Sequence, residues 1–185
     1  MSPPSPAVVI AEPRTAQDIA AAKALFLEYA GSLSFSLGFQ NFEQEMADFP
    51  GRYGPPRGAL LLAQVPLDGR LQPAGAVGLR SIGPDICEMK RMYVRPKFRG
   101  LGLGEKLARG CLEQGLALGY RAMRLDTMAE SMASALRLYR ALGFLEIPAY
   151  YDNPIKEAVY LECDLHHWSR NLTSPEHVKP EGSTS

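Results

Sequence analysis

"VRPKFRGLGLGEKL", Val94 to Leu107, sets four cationic side chains, Arg95, Lys97, Arg99 and Lys106, around Gly100, Gly102 and Gly104. Upstream, "DICEMKRMYV" (85–94) reads as a strand that runs directly into it. Downstream of Gly102 the pattern turns helical: Leu103, Leu107 and Cys111 share one face beside Leu112 and Leu116, and Gly119 supplies a stop. Glycines at a strand-to-helix turn let backbone come close to an anion. The first N–H groups of a helix point outward at its positive dipole end, and Arg99 adds charge-assisted hydrogen bonds. A P-loop is excluded, because Glu105 stands where its second glycine belongs. A dinucleotide fingerprint is excluded, because Leu107 takes the place of its third glycine and no acidic residue ends a following strand at the right distance. On the glycines alone, a diphosphate cradle and a solvated basic turn are both open readings.

The rest of the chain alternates strands and helices. "AVVIAEP" reads as a short first strand. Thr15 caps a helix, with Asp18 completing a capping box and Ile19, Ala22, Phe26 and Tyr29 forming one apolar stripe. A loop with Gly31 and Gly38 leads to a short helix, "NFEQEMADF", and then "GALLLAQV" and "PAGAVGLRSI" form a hairpin turning at "LDGR". After the basic turn and its helix comes the strand "YRAMRLDT". A helix follows from about Ser131, with Ala135, Leu138, Tyr139 and Leu142 in one stripe and Gly143 at its end. Val159, Leu161, Cys163 and Leu165 alternate in a last strand, "EAVYLECDL". The pattern is an α/β chain with a mixed sheet. It divides into a flexible N-terminus (1–6), one domain (7–168) and a flexible, polar tail (169–185).

The 185 residues carry 20 Lys plus Arg and 20 Asp plus Glu. With a net charge of zero, no global field draws in nucleic acid or an anionic membrane, so any anion site is local. Only Tyr93 and Phe98 lie among the basic residues, too few aromatics for an RNA-binding sheet. Cys87, Cys111 and Cys163 are odd in number and far apart, which fits reduced core residues of a cytoplasmic protein. "MSPPSPAVVI" lacks the basic region of a signal peptide, and no segment is long enough to span a bilayer. His166 and His167 have only His177 left to join them, so no metal site is expected.

The run from Asp85 to Phe144 resembles the GNAT superfamily of acyl-CoA-dependent N-acetyltransferases. The resemblance rests on a strand carrying Glu88, then "MYVRP", "RGLGLG", another strand and "LYRALGF", in that order. It implies the GNAT fold: a mixed, mostly antiparallel sheet of about six to seven strands flanked by about four helices. It implies acetyl-CoA as co-substrate. The backbone of Met92, Tyr93 and Val94 would pair with the pantetheine arm. Arg99 and the N–H groups of Gly100, Leu101, Gly102, Leu103 and Gly104 would hold the diphosphate, with Arg95, Lys97 or Lys106 toward the nucleotide end. The family's fourth strand usually carries a bulge that opens a slot for the thioester.

By the same resemblance Glu88, eleven positions before Arg99, is the candidate base, and Tyr139 the candidate acid. The alternatives are a strand carboxylate paired with Lys90 or Arg91, and a phenol buried in a helix's core stripe. The chemistry requires a base because an alkyl ammonium, with pKa about 10, cannot attack. The leaving thiolate, around 8.5 if thiol-like, gains from a proton donor. Many family members have asparagine seven residues before the tyrosine, where this chain has Met132, with Ser131 and Ser134 beside it. Asp126 and Thr127 either orient an amine or end their strand. Phe35, Phe39 and Tyr151 offer substrate-facing surface, and acidic residues are too sparse there for a polycation. The expected protein acetylates a primary amine of a small molecule in a ternary complex, as a monomer or homodimer with no membrane or nucleic-acid partner. A protein N-terminal or lysine acetyltransferase and a non-catalytic acyl-CoA-binding module are the alternatives.

Overall fold

The computed structural model describes residues 7–173. Seven strands form one sheet: β1 (Val9–Ala11), β2 (Ala59–Leu67), β3 (Arg70–Ser81), β4 (Ile86–Val94), β5 (Ala122–Met128), β6 (Leu145–Ile147) and β7 (Ala158–Asp164). Their spatial order is β1-β2-β3-β4-β5-β7-β6, and every pairing is antiparallel except β4 with β5. Five α-helices accompany them: α1 (Ala16–Ser32), α2 (Phe42–Ala47), α3 (Leu103–Ala117), α4 (Ala133–Ala141) and α5 (Leu165–Thr173). The α/β fold with a mostly antiparallel sheet is the expected one, with one more helix than expected.

Period-two alternation along the strands feeds two cores. In β2, Leu61 and Ala63 face α3, α4 and α5, while Leu60 and Leu62 face α1 and α2. The capping box forms as read: Asp18 N–H donates to Thr15 Oγ1 at 3.0 Å and Thr15 N–H to Asp18 Oδ2 at 3.2 Å. The β2–β3 hairpin turns at Asp68 and Gly69, both at positive φ, the conformation that suits a tight two-residue turn.

The domain does not stop at residue 168. The segment read as the start of a tail continues as α5, with Leu165 and Trp168 buried in the larger core. His167 N–H donates to Asp164 Oδ1 at 2.8 Å, so Asp164 ties off the first turn of α5. His166 and His167 thus lie on a helix. His177, residues 1–6 and residues 174–185 lie outside the described residues.

Candidate active site

The site begins with a break in β4. Gly78 pairs with Lys90 and Ala76 with Tyr93, so two steps along β3 match three along β4. Arg91 supplies the extra residue at φ 59, a backbone that side chains other than glycine rarely adopt. The bulge resets the alternation. Lys90 reaches Asp126 and the next residue, Arg91, reaches α2, while Met89 and Met92 both pack on the α3 side. On the other side, β4 pairs with β5 only over Ile86–Glu88 and Ala122–Arg124. Beyond that the strands part, and a cleft of about 880 Å3 opens between them.

One end of the cleft is lined by Met92, Tyr93, Val94, Arg99 and Gly104. Gly100, Leu101, Gly102 and Leu103 build the turn beneath it without lining it. Gly102, at φ 70, precedes α3, whose first backbone bond runs from Lys106 N–H to Gly102 C=O at 3.1 Å. The preceding N–H groups are therefore left for a ligand. Leu103 is buried against Val65, Ala74 and Phe98 and fixes the helix start to the sheet. Nothing inside the chain requires glycine at 104: an added Cβ would meet only Leu138, at 3.8 Å. Arg99 is tethered to Val94 C=O at 3.3 Å. Arg95 does not turn to the nucleotide end. It grips Glu28 of α1 at 2.7 Å and Pro73 C=O at 2.7 Å, and Lys97 lies 3.3 Å from Gln72 Oε1.

Tyr139 lines the cleft wall from α4, packed edge-on against Phe144, with its hydroxyl 4.0 Å from Met92 Sδ. Burial pushes its pKa well above the ordinary value, so the phenol stays protonated at neutral pH. Ser131, Met132 and Ser134 also line the wall. Ser131 also donates to Glu157 at 2.9 Å, and neither serine caps α4.

Glu88 is placed elsewhere. It is buried and does not line the cleft. Its carboxylate accepts from Arg80 Nε and from Tyr150 Oη, each at 2.8 Å, with Lys90 Nζ at 3.7 Å. The carboxylate on the wall is Asp126, within a β5 that runs on to Met128, so neither it nor Thr127 ends the strand. Asp126 accepts from Lys90 Nζ at 2.8 Å and from Tyr151 Oη at 2.9 Å. Burial alone would raise its pKa. The Lys90 charge and hydrogen bond, the Tyr151 hydroxyl and Arg91 outweigh this and hold it below the ordinary carboxylate value.

Arg91 makes a fork with Glu45, Nε at 3.0 Å and Nη2 at 2.9 Å, and donates from Nη1 to Gln40 at 2.7 Å. Gln40 in turn donates to Tyr151 Oη at 3.0 Å. The loop after α1 and the segment between β6 and β7 thus meet through one side chain. Phe35 lines the cleft; Phe39 and Tyr151 do not, the first being partly exposed and the second standing behind Asp126. Gln40, Glu45, Lys90 and Arg91 were not read as site residues, and the bonds that hold them in place span 36 to 111 positions of sequence. The three cysteines are buried, with burial raising Cys87 and Cys163 to about 12 and Cys111 well above its ordinary value, so none is a thiolate nucleophile. Among the described residues there is no His, Cys, Asp or Glu cluster that could hold a metal, and no helix long and apolar enough to cross a membrane.

A family model described as Acetyltransferase (GNAT) family matches residues 24–144. An uncharacterized N-acetyltransferase of Schizosaccharomyces pombe is 39% identical over 150 residues, 80% of this chain and 90% of that one. The N-acetylaspartate synthetase of Homo sapiens is 37% identical over 106 residues, 57% of this chain and 34% of that one. A Salmonella typhimurium protein, solved with its cofactor acetyl-CoA, aligns with 96% of this chain and 99% of its own. It has a TM-score of 0.62 at 17% identity, a likeness of fold. The chain belongs to the GNAT acetyltransferase family.

Proposed function

We propose that this acetyltransferase moves the acetyl group of acetyl-CoA to a primary amine of a small molecule, by direct attack in a ternary complex. The observation that carries the small-molecule reading is the tie across the acceptor end, where Gln40 bridges Arg91 and Tyr151 across two loops. An extended peptide needs an open groove at that place. A relative named for synthesis of N-acetylaspartate, an acetylated small amine, agrees with this reading.

Bound acetyl-CoA supplies an activated thioester. Arg99 and the free N–H groups around Gly102 and Gly104 would hold its diphosphate, and the β4 backbone at Met92, Tyr93 and Val94 its pantetheine arm. Neither Arg91 nor Met92 has a register partner in β3; the Met92 N–H, on the cleft wall, would polarise the thioester carbonyl. Tyr139, kept protonated by burial, donates to the departing sulfur. Asp126 takes the place first given to Glu88. It holds the amine in line, and its lowered pKa makes it an orienting charge; the ammonium gives up one proton to solvent before attack, and the second, released as the amide forms, restores through solvent the proton that Tyr139 gives to sulfur. Glu88 holds Lys90 and Tyr150 behind it.

The test is acetyl-CoA consumption by the full chain over a panel of small amines, amino acids and peptides. Small acceptors are expected to turn over faster than peptides containing the same amine. Peptides used in preference would establish the protein-acetylating alternative. Acetyl-CoA bound without turnover on any amine would leave a non-catalytic acyl-CoA-binding module.

A further inference from the structure

The acceptor end is charge-balanced before anything enters it. Arg80, Lys90 and Arg91 face Glu45, Glu88 and Asp126, and none of these side chains is more than 18% exposed. Its hydrogen-bonding capacity, however, is not balanced. Lys90 makes one hydrogen bond, to Asp126, since Glu88 at 3.7 Å is beyond bonding distance. Arg91 uses Nε, one N–H of Nη1 and one of Nη2, so two of its roughly five donors stay free. Asp126 accepts one bond at each oxygen, half of a carboxylate's capacity. Tyr151 is different: its hydroxyl donates to Asp126 and accepts from Gln40 and Asn153, which fills it. The free charged capacity on the cleft wall is thus cationic donors beside one anionic acceptor, with the neutral Tyr29 phenol near both Arg91 and Asp126.

A simple ammonium placed against Asp126 adds an uncompensated positive charge to this balanced, largely buried set. An acid without an amine adds a negative one. Either is expensive to bury. A molecule carrying both charges adds none. That neutrality governs binding; the amine then gives up one proton to solvent before attack, and the carboxylate keeps its hydrogen bonds to the free donors of Lys90 and Arg91.

We infer that the acceptor is an amino-acid-like zwitterion, with its amine against Asp126 and its carboxylate against Lys90 and Arg91. This rests on the acetyl-transfer reading above and adds the chemical class of the acceptor. It is tested with the full chain and acetyl-CoA on matched acceptors: free amino acids, their carboxamides, and the amines that lack the carboxyl group. At least one free amino acid is expected to be used with kcat/KM about tenfold or more above its amide and its amine, the scale of one charge-assisted hydrogen bond. Lys90→Gln is expected to narrow that acid-to-amide ratio. Amides or simple amines used as well as the acids would overturn the inference and leave acetyl transfer standing. Acetyl-CoA binding with no acceptor modified would overturn both. The wild-type comparison decides the matter whether or not Lys90→Gln folds.

Discussion

The α3 end of the cleft is made of backbone and glycine, and the acceptor end is made of ion pairs contributed by distant parts of the chain. The first end is held by the helix start itself: Leu103 anchors it in the core while Gly102 and Gly104 keep the approach clear. The second has no backbone cradle. Its shape depends on Arg91, forced outward by a bulge, being met by Glu45 and Gln40. One end should therefore lose function without losing the fold, and the other should lose both together.

The largest effect tests the acceptor end. Glu45→Ala strips the partner from Arg91, whose side chain is 2% exposed, and should cost about 3 kcal/mol in a denaturant titration, the scale for an orphaned buried charge. Acid should do the same reversibly. Glu45 is pushed up by burial but held lower overall by Arg91's hydrogen bond and charge, and Asp126 is likewise lowered. Folded-state values below the ordinary 4.5 and 3.8 mean that this stability is present above those values. It is lost as pH falls through the folded values. Glu45→Ala should show a shallower acid decline than the parent; equal slopes would remove Glu45 from the account. Next in size, Tyr139→Phe should reduce kcat about 100-fold, the low end for a lost general acid, with little change in acetyl-CoA affinity. An affinity loss with kcat preserved would make Tyr139 a binding residue. The smallest effect calibrates the buried pairs: Arg109→Ala breaks an exposed bridge to Glu105 within α3 and should change stability by less than about 0.5 kcal/mol.

The same contrast explains what the sequence could disclose. The α3 end is contiguous, so the strand, the glycine turn, the helix and the hairpin were legible from spacing alone. The bulge was not, because nothing in "KRMY" marks Arg91 for a positive φ. Without it, the choice between Glu88 and Asp126 has no local signal. Glu88 sits at the expected spacing but on the paired part of β4, whereas Asp126 lies where β5 has parted from it. Helix α5 was legible in part: Asp164 is a capping residue, and Leu165 and Trp168 share a face, yet the polar run that follows masked them. Gln40 and Glu45 carry no signal, because their importance comes from meeting Arg91 across the fold.

The central claim is that the glycine turn and the parted strands bind acetyl-CoA through backbone. Calorimetric titration of acetyl-CoA into the full chain and into Gly104→Val tests it most directly. A Cβ at 104 meets only Leu138, at 3.8 Å, so the fold should tolerate the change, with stability within about 1 kcal/mol of the parent. Stoichiometric binding to the parent, weakened at least about tenfold in Gly104→Val, or about 1.4 kcal/mol, is the expected result. No binding to the parent, or equal binding to a folded Gly104→Val, would contradict it.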